Sequence, residues 1–299
     1  MEHHPIATIV NFSSNESRFI QATLSQVLLF SRQVIVPVCD HFFDGTLENR
    51  VLLKRVYEAF PECQFIEYPF EPAKIPKAVF KKINPAHFWH SLSRLIGVSH
   101  LDEEIETVLF LDADEVPDGH RFGEWLRASD YRGHTAIKFS NYWYFRDPVN
   151  QAIETEDSVV LAQRGALELE IVLHQDERDA IYHLLPWPKR RGVKDFCGNP
   201  MFHHYSWVRT KEEMLKKVGS WGHKKDRDWV RLVHEEFAGP FSGRDFIHNY
   251  HYRQIAPLFD IRLEEPAFVA MGKPQVKQLK SREVLSLLPK KKFWGFVSS

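Results

Sequence analysis

The chain has 299 residues, 43% of them hydrophobic, enough to bury a sizeable core in one large α/β domain or two small ones. Its 39 lysines and arginines nearly balance 40 aspartates and glutamates, which excludes the broad basic field of a nucleic-acid binder. Cys39, Cys63 and Cys197 give neither a disulfide framework nor a zinc spacing. No basic leader opens the chain and no apolar run reaches the roughly 20 residues that span a bilayer, so a soluble, cytoplasmic protein is expected. Residues 6–10 read as a buried strand, followed at once by the polar segment 11–15 (NFSSN). Phe19, Ile20, Thr23, Val27 and Phe30 then recur at helical spacing, with Asn15 as candidate cap. A second strand spans 34–38, where Pro37 suggests an edge or an irregular end. A helix over 47–60 and a strand over 64–68 complete a β-α-β-α-β pattern, that of a parallel doubly wound sheet.

Segment 71–85 reads as a proline-rich surface loop, and a helix over 87–98 precedes a wholly apolar strand over 107–111. Sheets of this kind take ligands beyond the carboxyl ends of their strands, and Asn11, Asp40 and Asp112 all fall at such ends. Further on, 135–139 and 142–145 are strand-like, and 151–185 is expected to hold more strands. Thr210 with Glu213 forms a capping box for a helix from Lys211 to about Val218. The simplest organisation is one domain over 1–270, with a nucleotide-binding half (1–120), an acceptor-side half (121–270) and a C-terminal extension (271–299).

The chemistry concentrates at Asp112, Asp114 and Glu115. In an extended strand Asp112 and Asp114 face one side, with Ala113 turned away. Like charges at 4 Å repel by roughly 4 kcal/mol at an effective dielectric near 20. The chain must either splay them into water or hold a cation, and magnesium or manganese, which prefer oxygen ligands, would also bridge to phosphate.

Here the sequence resembles a known family. Residues 110–117 (FLDADEVP) are similar to the DXD motif region of GT-A-fold glycosyltransferases, especially family-2-like bacterial members whose motif reads Asp-Ala-Asp-Glu. Residues 9–16 (IVNFSSNE) resemble their first strand and its Asn-Glu loop, and 40–46 (DHFFDGT) their second loop, although His41, Phe42 and Phe43 depart from the usual small or acidic residues. The resemblance covers about 6–120. It implies an α/β GT-A-like nucleotide-binding fold with a mostly parallel central sheet flanked by helices, and a metal-dependent glycosyltransferase of the hexosyltransferase type. It also implies Mn2+ or Mg2+ as cofactor and a nucleotide-sugar donor, a UDP-sugar favoured, with a glycan, lipid-linked or protein acceptor. By the same resemblance Asp40 contacts the nucleoside, Asp112 the ribose or metal-bound water, and Asp114 the metal, with Asn11, Ser13 and Glu16 beside the nucleotide. Read from the residues alone, Asn11 and Ser13 could equally bond their own loop, and Glu16 could simply favour a helix start.

A further metal ligand is expected downstream, and residues 202–207 (FHHYSW) offer His203 and His204, which point oppositely on a strand; His204 is the candidate, against a role in packing. His223 is a rival. Tyr142 to Arg146 could line an acceptor groove, and the basic loop Lys189–Arg191 with Trp187 and Lys194 could clamp a diphosphate or an anionic acceptor. Inverting transfer needs a base for the acceptor hydroxyl, for which Asp195 and Asp226 are the candidates, Asp195 being the weaker base if its basic neighbours lower its pKa. The competing classes are a sugar-nucleotide nucleotidyltransferase, disfavoured because 11–15 lacks glycine and basic residues, and a non-catalytic nucleotide-sugar-binding module. Lys290–Lys292 with Phe293, Trp294 and Phe296 could contact the inner face of a membrane peripherally.

Overall fold

A computed structural model describes residues 4–220, 227–264 and 266–289. In chain order the elements are β1 (His4–Asn11), α1 (Ser17–Val27), β2 (Ser31–Cys39), α2 (Arg50–Ala59), β3 (Gln64–Tyr68), α3 (Lys77–Phe80), α4 (Pro85–Ser99), β4 (Thr107–Asp112), β5 (Glu115–Pro117) and α5 (Gly119–Ala128). There follow β6 (Ala136–Phe145), β7 (Asp147–Gln163), α6 (Leu169–Val172), α7 (Glu177–Leu184), β8 (Lys189–Val193), β9 (Phe202–Trp207), α8 (Lys211–Ser220), α9 (Trp229–Glu236), β10 (Tyr252–Gln254), β11 (Gln275–Gln278) and α10 (Ser281–Leu287).

Among the described residues the strands form one 11-stranded sheet in the order β11-β3-β2-β1-β4-β7-β6-β9-β5, with β10 on β7 and β8 on β6. The run β11-β3-β2-β1-β4 is wholly parallel, while β4 meets β7 and β7 meets β6 antiparallel. The chain is thus mixed α/β, with a mostly parallel sheet flanked by helices. Strand alternation sends successive residues to opposite faces. Val10, Val36, Leu109 and Leu111 face α1, α2 and α5 in one core layer, while Ile9, Ile35, Val108 and Phe110 face α4 and α7 in the other. Gly97 lets α4 lie close on β1: a Cβ there would stand 2.6 Å from Ile9 Cγ2.

Several expectations need correcting. Pro37 lies in a strand flanked on both sides, but beyond the last register pair with β1 (Ile9–Ile35), where a missing donor is tolerated. Asn15 is exposed in a short 3-10 turn ahead of α1 and does not cap it. Segment 71–85 is no mere surface loop, since Ile75, Val79 and Ile83 are buried under α4. Residues 164–185 are helical rather than stranded, because the apolar runs near 169–173 and 180–185 pack on α4 and the sheet. The segment beyond 271 contributes β11, which pairs in register with β3. Among the described residues no helix is long and apolar enough to cross a membrane. The tail 290–299, with its expected membrane contact, lies outside the described residues.

Candidate active site

Strands β1 and β4 run parallel with Asn11 opposite Asp112, so their carboxyl ends open at one level. A cavity of about 930 Å³ lies there. It is lined by Asn11, Ser13 and Glu16 from the first loop, by Asp112 and Asp114, by His204 on β9 and by Lys216 and Lys217 on α8. Six of the residues anticipated for nucleotide or metal are thereby gathered: Asn11, Ser13, Glu16, Asp112, Asp114 and His204.

The two aspartates differ in their surroundings. The strand ends at Asp112 and the chain turns, with the Ala113 N–H donating to the Asn11 carbonyl at 3.0 Å. Asp112 faces two guanidinium groups: Arg94 Nη2 is 3.1 Å from Oδ1 and Arg178 Nη2 is 3.1 Å from Oδ2. Against the cost of burial, Arg178 and Arg94 hold its carboxyl far below the usual range. Glu115, fully buried, accepts from Arg178, from Ser158 at 2.7 Å and from the Asp112 N–H at 2.9 Å. The acidic repulsion expected here is relieved by arginines: Asp112, which lines the cavity, pairs with Arg94 and Arg178.

Asp114 has no such partner. Its Oδ1 is buried without a hydrogen bond among the described residues and lies 3.6 Å from His204 Nε2. Burial, reinforced by Glu16, pushes its carboxyl above the ordinary value despite His204 and Lys217. The His204 ring stands edge-on to Trp143, with centroids 4.8 Å apart, and its Nδ1 is also without a hydrogen bond. Register explains the choice between the histidines: Glu115 pairs with His204 and Val116 with His203. His203 turns into the core, 2.7 Å from the Tyr144 hydroxyl, and burial pulls its imidazole down to about 3. Among the described residues no group of three or more His, Cys, Asp or Glu could hold a metal. Asp114 and His204 are thus two potential ligands only, so a cation there would need its remaining ligands from phosphate oxygens and water.

The remaining candidates are placed as follows. Glu16 holds Arg209 in a bidentate pair at 2.6 and 2.7 Å. Asn11 donates Nδ2 to the His90 carbonyl at 3.3 Å, and its buried Oδ1 has no hydrogen bond among the described residues. Asp40 does not line the cavity. Its carboxylate accepts the Phe70 N–H at 2.7 Å and lies 2.6 Å from His41 Nδ1, anchoring the exit of β3. Asp195 lies outside the cavity, accepting the Cys197 and Asn199 N–H groups at 3.0 and 2.7 Å and pairing with Arg121. Burial raises its carboxyl, but Arg121 and the loop N–H groups outweigh that and lower it, so in this structure Asp195 anchors its own loop. Asp226 and His223 lie outside the described residues. Strand β8 sits against the amino-terminal half of β6 and lines no part of the cavity. Of Tyr142 to Arg146, Trp143 alone does.

Arg94, Arg178 and Arg209 had no sequence signal, since each meets its acid across a long separation. Lys216 and Lys217 had one: Glu213, Lys216 and Lys217 follow the Thr210 box at i, i+3 and i+4. That box is formed, with the Thr210 N–H donating to Glu213 Oε2 at 2.9 Å and the Glu213 N–H to Thr210 Oγ1 at 3.3 Å.

No protein-family model matches the chain, and no curated protein matches it. Solved structures with a similar chain path include a mannosyltransferase from Pyrobaculum calidifontis in complex with GDP-Man and Mn2+ (TM-score 0.42, 12% identity, 73% of this chain and 61% of that one). The glycosyltransferase GlyE of Streptococcus pneumoniae (TM-score 0.39, 11% identity, 78% and 63%) is another. So is 4-diphosphocytidyl-2C-methyl-D-erythritol synthase from Anaerococcus prevotii (TM-score 0.39, 11% identity, 65% and 90%). The likeness in each case is one of fold.

Proposed function

We propose that this chain is a glycosyltransferase of the GT-A type that binds a nucleotide-diphosphate sugar, a UDP-sugar favoured, at the carboxyl ends of β1 and β4. Its acceptor is a hydroxyl of a glycan, a lipid-linked sugar or a protein. The observation that carries this reading is the buried Oδ1 of Asp114, which has no hydrogen bond among the described residues and lies 3.6 Å from His204 in a cavity of about 930 Å³. A buried carboxylate without a partner is costly, and a ligand that supplies a cation removes that cost.

Asp114 and His204 would hold Mn2+ or Mg2+, which neutralises the charge growing on a departing diphosphate. Asn11 Oδ1 offers an acceptor to the nucleoside. Trp143, whose buried indole N–H lacks a partner among the described residues, offers a donor to a sugar hydroxyl. Asp112 holds Arg94 and Arg178 in place rather than touching the ligand. Transfer with inversion is the proposed stereochemistry; Asp195, which lies outside the cavity, is the less suited of the two acids proposed as its base.

The test is calorimetric titration and thermal shift with UDP-, GDP-, CMP- and dTDP-sugars, each with and without manganese. Metal-dependent binding of one donor is expected, followed by metal-dependent release of its nucleoside diphosphate. Absence of any nucleotide-sugar response overturns the reading. Binding without turnover in the presence of diverse acceptors would favour a non-catalytic module.

A further inference from the structure

We propose that His248, oriented by Glu156, is the base that takes the proton from the acceptor hydroxyl. The inference deepens the glycosyltransferase reading above and rests on it, and it gives the proton to a histidine in place of the two aspartates expected from the sequence.

Strand register sets the layout. Trp143 on β6 pairs with His204 on β9, and Asn141, two residues back on β6, pairs with Glu156 on β7. Residues two apart on a strand, and residues paired across strands, share a face. His204 and Glu156 therefore stand on one face with a single strand between them. Trp143, which lines the cavity, bridges the gap. Its ring is edge-on to His204 at 4.8 Å and to His248 at 5.1 Å, so at most about 10 Å separates the two imidazole centroids. Metal–oxygen bonds of about 2 Å, an attacking oxygen roughly 3–3.5 Å from its carbon and a base about 2.6–3.2 Å from that oxygen make a span of this order once a phosphate lies between.

The histidine is held in place, yet its ring is accessible. Asp245 Oδ1 accepts the N–H groups of Ile247, His248 and Asn249 at 2.7, 2.6 and 3.2 Å, which fixes the loop. His248 Nε2 lies 3.3 Å from Glu156 Oε1, an oxygen that also accepts the Tyr250 hydroxyl at 3.0 Å. The Tyr250 ring stacks on the imidazole at 5.0 Å. With Nε2 facing the carboxylate, Nδ1 is the nitrogen left to take a proton. The His248 side chain is 37% exposed and lines a second cavity of about 440 Å³, whose wall also carries the charged groups of Arg227, Asp228 and Arg231. In the step itself the acceptor O–H bond breaks and its proton passes to Nδ1. The oxygen bonds the anomeric carbon of the donor, and the bond from that carbon to the diphosphate breaks, its electron pair leaving with the phosphate oxygen. The Glu156 carboxylate offsets the charge the imidazole gains, as an orienting acid does for a histidine base. The competing role for His248 is packing, as a ring between Trp143 and Tyr250.

The experiment follows release of nucleoside diphosphate by the full chain across pH, with manganese, UDP-, GDP- and dTDP-sugars as donors and a panel of mono- and oligosaccharides as acceptors. Donor affinity is read separately by calorimetry. His248→Gln should lower kcat/KM by about a hundredfold or more, with manganese-dependent donor affinity and melting temperature unchanged. Glu156→Gln should give a smaller loss and move the acid limb of the rate profile to lower pH, because a carboxylate that favours the imidazolium is gone. Imidazole added to His248→Ala should restore part of the rate, and the product should carry an inverted linkage. A His248→Gln protein that keeps the wild-type rate overturns the proposal and leaves the glycosyltransferase reading standing. So does a retained linkage, or a variant whose donor affinity and melting temperature fall together with its rate, which marks a packing role. Wild type that binds no nucleotide sugar, or binds one without release, overturns both.

Discussion

Arg178 reaches from α7 to the end of β4, where its Nη2 lies 3.1 Å from Asp112 Oδ2 and 2.8 Å from Glu115 Oε1. Together with Arg94 it converts a run of acids into a compensated buried cluster. Removing one member leaves the others buried and uncompensated, which costs about 3–5 kcal/mol. Arg178→Ala and Asp112→Asn should each lower unfolding free energy on that scale, read from urea denaturation. A loss under about 1 kcal/mol in both would refute the cluster's structural role.

Asp114 should behave in the opposite way. Its carboxylate is buried with no hydrogen-bond partner for Oδ1 among the described residues, so Asp114→Asn should leave the melting temperature unchanged or raise it, a trade of stability for binding. The same variant should lose manganese-dependent nucleotide-sugar binding by tenfold or more. Retention of that dependence would remove Asp114 from the metal site.

Gly97 sets the distance between α4 and β1, and α4 carries His90 and Ser93 to the cavity. Alanine there would place its Cβ 2.6 Å from Ile9 Cγ2 and 2.9 Å from Cδ1. Overpacking of this kind costs about 1–3 kcal/mol. Ile9→Ala removes both atoms, so the double variant Gly97→Ala, Ile9→Ala should be more stable than the sum of the single effects allows. Strict additivity in denaturant melts would argue that α4 simply shifts.

His203 makes the acid limb of stability steeper. Its ordinary pKa is near 6.5, and burial, with Arg121, brings it down to about 3 in the folded chain. Between those values the unfolded chain takes up a proton that the folded chain does not. Stability therefore falls as pH drops through that window, by about 1.4 kcal/mol per pH unit for this one group, and is unaffected by it above about 6.5. His203→Phe should flatten the limb by about one proton in unfolding titrations. An unchanged slope would show that the group is protonated in the fold.

The first half of the fold was legible because its strands are short apolar runs broken by polar residues, and parallel strands buried on both faces look like that. Asp112 and Asp114 stood out for the same reason: acids directly after four apolar residues. What could not be read was the difference between them, because Arg94 and Arg178 come from helices separated from Asp112 by many residues. The separation of His203 from His204 followed from strand alternation. The helices over 169–172 and 177–184 were misread because short apolar runs fit either period, and packing on α4 decides them. Asp195 illustrates the limit for a base: an acid in a polar loop looks available until the loop's own N–H groups are seen to claim it.

Strand β11 pairs with β3 at the far edge of the sheet, in register from Gln275–Gln64 to Gln278–Glu67. During synthesis, β3 must therefore emerge and fold against β2 long before its outer neighbour exists. Until residues 275–278 leave the ribosome, the nascent protein carries an open row of backbone donors and acceptors, a template for self-association. A variant cut short before that strand should meet its fate in translation as aggregate, whatever the integrity of the cavity at the ends of β1 and β4.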